Sequence, residues 1–79
     1  MSGSGPYWIL YLIECRRGAG TLYYTGITTD MARRFKEHAS GTGARFTRAN
    51  PPVRLIATRE FPDRSAALKA EAAVKKLPR

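Results

Sequence analysis

Residues 23–38, YYTGITTDMARRFKEH, restrict the fold more than any other part of the chain. They begin with aromatic residues typical of a strand end, and Gly26 then permits a backbone bend that a side chain would obstruct. Thr29 or Asp30 is suited to cap a helix, because either side chain can accept from the first free N–H groups of that helix. The stretch therefore predicts a strand, a glycine turn and a capped helix in direct succession.

The helix that follows is predicted to be amphipathic. Met31, Phe35 and Ala39 share one face at helical spacing. Arg34 and His38 are four residues apart and lie along one border of that face. A guanidinium and an imidazole therefore point the same way, close to the phenols of the preceding strand.

The rest of the chain supplies two more strands and a second helix. Residues 7–15 are aromatic and β-branched, which predicts a buried strand, and residues 21–26 return as its hairpin partner. Residues 53–61 predict a third strand, with Val53, Leu55 and Ala57 on one side. Asp63 is expected to cap a second helix over residues 64–77, which Pro78 ends. Between helix one and the third strand, residues 42–52 read as a long exposed loop, and such loops are commonly functional.

This order predicts one α+β domain, β-β-α-β-α, with a three-stranded, mostly antiparallel sheet on which the helices pack. A length of 79 residues leaves no room for a second domain. Residues 1–5, MSGSG, are expected to form a flexible leader, so the domain is assigned to residues 6–79. No signal peptide or membrane span is recognisable, and we expect a cytoplasmic protein without a membrane partner.

The charge of the chain indicates its partner. Fourteen Lys and Arg against six Asp and Glu give a net charge of +8, and ten of the fourteen are Arg. The planar fork of Arg fits phosphate, so a nucleic acid is the expected partner; the alternative is a protein that is basic only for solubility. With Cys15 and His38 as the only cysteine and histidine, a disulfide framework and a Cys/His zinc site are excluded.

Five sequence blocks, in order and with matching spacing, resemble the GIY-YIG nuclease superfamily and in particular its small single-domain bacterial members. They are LYLIEC, LYYTGITTDMARRFKEH, GTGARFT, PVRLI and FPDRSAALKAEAAVKKL. The resemblance implies an endonuclease that hydrolyses phosphodiester bonds with one Mg²⁺ or Mn²⁺ ion per site. DNA is the expected substrate, RNA is the alternative, and an accessory protein is a further expected partner. The rival interpretation is a module that keeps the fold and the basic surface but binds nucleic acid without catalysis.

The resemblance also assigns residues. Its catalytic positions match Tyr11, Tyr24, Arg34 and His38, and its metal-binding carboxylate matches Glu71. The base that takes a proton from water is left open between Tyr24, the family's usual candidate, and His38, since an ordinary imidazole titrates nearer neutrality than a phenol does.

The basic loop and the second helix carry further predictions. Contacts with nucleic acid are assigned to the loop residues Arg45, Thr47 and Arg48. Glu71 borders the apolar stripe of the second helix, where a carboxylate costs desolvation unless a partner compensates it. Two partners are conceivable: a metal ion, or Lys75 four residues further on in the favourable orientation for a helix pair.

Overall fold

The computed structural model describes residues 7–43 and 45–76. Along the chain it contains β1 (Trp8–Arg17), β2 (Gly20–Thr28), α1 (Met31–Ser40), α2 (Arg45–Ala49), β3 (Pro52–Phe61) and α3 (Arg64–Lys75). Three antiparallel strands with packed helices confirm the predicted α+β class. The predicted leader and Pro78 lie outside the described residues, and the second predicted helix ends at Lys75, with Lys76 as its C-cap, before the predicted end at residue 77.

Strand β1 is the centre of the sheet, whose order is β2-β1-β3. Its apolar sequence fits this position, because a central strand is covered by neighbours on both edges. It pairs with β2 so that Tyr11 lies opposite Gly26 and Ile13 opposite Tyr24. Gly18, with φ of 57°, occupies the tight turn between them, where a left-handed backbone favours glycine. The hairpin thus sets the first and second tyrosines of the predicted site side by side.

Strand β3 pairs with β1 less regularly. Ala57 lies opposite Leu12 but Leu55 lies opposite Ile13, so Ile56 is an extra residue in a bulge. Neighbouring residues of β1 point to opposite faces, and therefore Leu55 and Ala57 do too. The prediction that they share one side is wrong, because the inserted residue resets the alternation.

The core lies on the face of the sheet that carries Tyr11. Tyr11, Ile13 and Cys15 of β1 are buried, and partly buried hydrophobic side chains from β2, α1 and α2 pack against them: Tyr24, Met31, Phe35 and Phe46. Helix α3 contributes the buried Ala67 and packs mainly against β1 and β2. These contacts hold α1 and α2 over the hairpin of β1 and β2.

Both predicted N-terminal helix caps are present. Asp30 caps α1 by accepting from the backbone N–H of Arg33 at 3.1 Å, and Gly41 ends it with φ of 84°. Asp63 caps α3 in the same way, accepting from the N–H of Ala66 at 2.8 Å. Within the described ranges no helix is long and apolar enough to cross a membrane.

Two local predictions differ from the structure. Gly26 does not turn the chain; β2 runs on through it to Thr28 with ordinary extended geometry. The predicted loop contains the short helix α2, whose Phe46 packs on the core. A five-residue helix has too little periodicity to be recognised in a sequence rich in Arg, Pro and Gly.

Candidate active site

Three buried side chains from β1, α1 and α2 form a row of hydrogen bonds. The Tyr11 hydroxyl lies 2.9 Å from His38 Nε2, and His38 Nδ1 lies 2.7 Å from Thr47 Oγ1. Each of the three residues is only 1% exposed. Both imidazole nitrogens of His38 are therefore occupied, and its side chain belongs to the interior, not to a solvated helix border.

Two glycines allow this row to form. A Cβ added at Gly26 would lie 2.5 Å from the Tyr11 hydroxyl oxygen, and one at Gly43 would lie 2.6 Å from His38 Nδ1. Neither glycine has a positive φ, so each is required for space and not for backbone conformation. Gly26 thus admits the phenol of Tyr11, and Gly43 lets the backbone close over the Nδ1 side of His38.

Tyr24 lies against the same row. Its ring meets the imidazole of His38 edge-on at 5.3 Å between centroids and stacks on Phe46 at 5.4 Å. The centroid of the Tyr11 ring is 6.3 Å away. Unlike Tyr11 and His38, Tyr24 is only partly buried, so it is the one of these three residues that remains partly accessible to water.

Arg34 connects the row to the outside. Its Nη1 donates to Glu37 Oε1 at 2.9 Å, and its side chain is 30% exposed. The guanidinium also interacts with the Tyr11 hydroxyl, and hydrogen bonds to Tyr11 and then Glu37 raise the pKa of Arg34. Because a guanidinium only donates, Arg34 can interact with the Tyr11 hydroxyl only through the lone pairs of its oxygen.

Burial keeps the two central groups uncharged. It raises the pKa of the Tyr11 phenol, although the hydrogen bond from Arg34 acts in the opposite direction. Burial also lowers the pKa of His38, and the positive charge of Arg34 lowers it further. At neutral pH the structure therefore contains a neutral phenol beside a neutral imidazole.

Glu71 reaches the neighbourhood of this cluster from α3. Its side chain is 18% exposed, and its charge is close enough to contribute to the raised pKa of Tyr11. Oε2 of Glu71 lies 3.3 Å from Lys75 Nζ, so the predicted helix pair is present. Since the Lys75 side chain is 52% exposed, this ion pair contributes little to stability and leaves the carboxylate available to a stronger partner.

A divalent cation at Glu71 would have one protein carboxylate as ligand. Among the described residues no group of three or more His, Cys, Asp or Glu side chains could hold a metal ion. Mg²⁺ is commonly bound by one or two carboxylates and completes its octahedron with water and substrate phosphate oxygens. A single hard oxygen ligand at the rim of the cluster fits that mode of binding.

The three residues predicted to contact nucleic acid have different environments. Arg45 and Arg48 lie on α2 with exposed side chains, on either side of the buried Thr47. The hydroxyl of Thr47 is directed at His38, so a contact between it and a nucleic acid would require that bond to open. The contacts of all three residues with nucleic acid stay predictions.

Sequence reasoning missed Gly43, and it assigned Thr47 to nucleic-acid contact and not to a hydrogen bond with His38. The signal for Gly43 and Thr47 was weak, because both stand in an irregular stretch without helical or strand periodicity. The only available cue was a glycine and a small hydroxyl residue shortly after the single histidine of the chain.

Comparison with known proteins identifies the family. The family described as the GIY-YIG catalytic domain matches residues 7–79, which is nearly the whole chain. The chain belongs to the GIY-YIG family. This membership places it in a nuclease superfamily, as the resemblance implied.

Its relatives include UPF0213 proteins. One from Xanthomonas axonopodis pv. citri (strain 306) is 57% identical over 72 residues, which cover 91% of this GIY-YIG chain and 68% of the relative. One from Cupriavidus necator is 53% identical over 70 residues, covering 89% of this chain and 73% of the relative. The solution NMR structure of the UPF0213 protein BH0048 from Bacillus halodurans is 46% identical, with a TM-score of 0.54. That match covers 92% of this chain and 74% of that one.

Proposed function

We propose that this GIY-YIG domain hydrolyses phosphodiester bonds in DNA with one Mg²⁺ or Mn²⁺ ion bound at Glu71. The observation that carries the proposal is the cluster itself: Arg34, whose Nη1 donates to Glu37 at 2.9 Å, lies near the hydrogen-bonded Tyr11–His38 pair, a partly exposed phenol and a carboxylate. Donors fixed in advance at a site of developing charge are the arrangement that stabilises such transition states. When bound, the cation would stabilise the negative charge on the leaving oxygen.

The burial of the cluster favours one division of roles. Tyr24 is the base, since it is partly exposed while His38 is 1% exposed and bonded at both nitrogens. Its phenol proton passes to solvent, and the phenolate then takes a proton from the attacking water. Arg34 stabilises the negative phosphate of the transition state. Tyr11 and His38 act behind Arg34 and hold it in place. His38, the alternative base, is thereby proposed as a positioning residue.

The charge distribution supports DNA as the substrate. The net charge of +8 attracts a polyanion, and Arg45 and Arg48 are exposed on α2 next to the cluster. Contacts from such residues would position the backbone without reading sequence. A cytoplasmic location, RNA as a second substrate and an accessory protein remain parts of this proposal.

A second candidate function is favoured by the ion pair at Glu71. Lys75 already neutralises the carboxylate at 3.3 Å, which is the arrangement expected in a domain that binds nucleic acid without a metal. In that case the fold and the basic surface serve binding alone.

The deciding experiment incubates the protein with labelled DNA of several forms: double-stranded, nicked, branched and single-stranded. Each is tested with Mg²⁺, with Mn²⁺ and with EDTA. We expect cleavage with the metal ions that EDTA abolishes and that Glu71→Gln loses. Lys75→Gln is the matched control, because it removes the same ion pair but keeps the carboxylate, and it should retain cleavage. DNA that is bound but never cut under any of these conditions would establish the second candidate.

A further inference from the structure

The row of hydrogen bonds from Tyr11 to Thr47 has one direction. Tyr11 is 1% exposed and the single proton of its hydroxyl needs an acceptor, which the guanidinium of Arg34 cannot supply. The partner of that proton is His38 Nε2, at 2.9 Å. Nε2 is therefore unprotonated, and a neutral imidazole then carries its proton on Nδ1. This Nδ1–H donates to Thr47 Oγ1 at 2.7 Å.

We propose that Thr47 is a positioning residue that holds His38 in the Nδ1–H tautomer and, through Tyr11, fixes the guanidinium of Arg34 for catalysis. Thr47 touches neither substrate nor metal in this scheme. The proposal rests on the function proposed above, in which Arg34 stabilises the transition state. In this proposal the buried Thr47 serves catalysis and does not contact the nucleic acid.

The opposite tautomer shows why Thr47 matters. With the proton on Nε2, His38 would donate to the Tyr11 oxygen, and the phenol proton would need another acceptor. Among the residues that the structure describes, His38 Nε2 is the acceptor recorded at the Tyr11 hydroxyl, so the proton would be buried without a partner. The Nδ1–H form satisfies Tyr11 and His38 together.

Thr47 and Gly43 are the groups that select this form. Imidazole in water prefers the Nε2–H tautomer, so the protein has to stabilise the other one. The hydroxyl of Thr47 offers Nδ1 an acceptor, and the close approach of Gly43 leaves no room for another side chain at that nitrogen. A buried Nδ1–H without its acceptor would be unsatisfied, which proteins avoid.

The tautomer can be measured directly, since His38 is the only histidine in the chain. Nitrogen-15 NMR of the labelled protein gives two imidazole signals, and both belong to His38. We expect a protonated Nδ1 and a bare Nε2 in the wild type. Thr47→Val keeps the shape of the side chain but lacks the hydroxyl, and it should move the proton to Nε2. Thr47→Ser should keep the wild-type pattern, and so should Thr42→Val, the same change at an exposed threonine.

Cleavage assays test the consequence for Arg34. Thr47→Val should lower kcat roughly ten- to a hundred-fold, the range found when partners that orient a histidine at metal sites are removed. KM should change little, and Thr47→Ser should restore most of the rate. A loss confined to KM would instead support direct contact between Thr47 and the nucleic acid, and would overturn the proposal.

Other outcomes would also overturn it. A bare Nδ1 in the wild type would show that the row runs the other way, and this result does not depend on any variant folding. A protonated Nδ1 that survives Thr47→Val would show that another group selects the tautomer. If the wild type cleaves nothing, the nuclease proposal fails alone. In that case NMR of the Arg34 guanidinium tests whether Thr47 fixes its position. A guanidinium resonance that is unchanged by Thr47→Val would refute that claim.

Discussion

The space beside Gly26 is filled by the ring of Tyr11, so an added methyl group at this position should destabilise the protein. In Gly26→Ala the new methyl carbon would lie 2.5 Å from the hydroxyl oxygen of Tyr11, 2.7 Å from Cζ and 3.2 Å from Cε2. Carbon atoms in normal contact are about 3.5–4.0 Å apart, so the ring has to move by roughly 1 Å. Tyr11 is 1% exposed and bound to His38, which leaves it no free direction in which to move.

The magnitude follows from what is known of overpacked cores. Forcing one extra methyl into a packed site costs typically about 1–3 kcal/mol. Each kcal/mol lowers the melting temperature of a domain of this size by roughly 4–8 °C. Since the displaced phenol also loses its place between Arg34 and His38, cleavage should fall together with stability.

The assay is urea or thermal unfolding of Gly26→Ala beside Gly20→Ala. Gly20 lies on the same strand, and a Cβ there would meet only the carbonyl oxygen of Arg17 at an ordinary 3.5 Å. In a Tyr11→Leu background the added methyl has no ring to strike, so its cost should shrink and the double-mutant cycle should show coupling. Equal stability of the two alanine variants would refute the reasoning, as would strict additivity in the cycle.

Three further predictions concern the charged groups. Arg34→Ala should lower kcat by about 10²–10³-fold with a smaller effect on binding, and the control Arg33→Ala, whose wild-type side chain is 62% exposed, should change kcat little. Equal losses in binding and turnover would show that Arg34 is only a phosphate anchor. Burial lowers the pKa of His38, so the unfolded chain takes up a proton that the folded protein does not. The free energy of unfolding should therefore decrease as the pH falls below about 6.5, and a flat profile from pH 7.5 to 5.5 in urea titrations would contradict this. The log of DNA affinity should fall linearly with log salt at about −0.9 per neutralised phosphate, less steeply in Arg45→Ala or Arg48→Ala; a slope unchanged in both variants would remove them from the interface.

Much of the fold could be predicted because the strands and helices carry strong local signals. The aromatic hairpin and the Asp30 and Asp63 caps appear in the structure where the sequence indicated them. These features depend on chemistry within a few residues of each position. Local chemistry is what a single sequence expresses most directly.

Parts of the site escaped prediction because they depend on packing between distant elements. Gly26 was interpreted from its backbone freedom, but its function is to make room for Tyr11, a residue of the neighbouring strand. Thr47 became buried only because the helix around it folds against His38. The bulge at Ile56 depends on the pairing with β1, which the sequence of β3 alone does not determine.

The irregular third strand has a consequence for solubility. β3 is an edge strand, and Val53, Leu55 and Ile56 are 47%, 40% and 39% exposed. A long flat strand of this kind would invite a second molecule to pair with it and start an aggregate. The bulges in its pairing with β1 twist the edge, and Arg59 adds a positive charge along it, whereas Arg54 is paired with Glu14 of β1 at 2.9 Å. Arg59 is therefore an unsuitable position for a neutral substitution in an engineered variant, even though it lies on the surface.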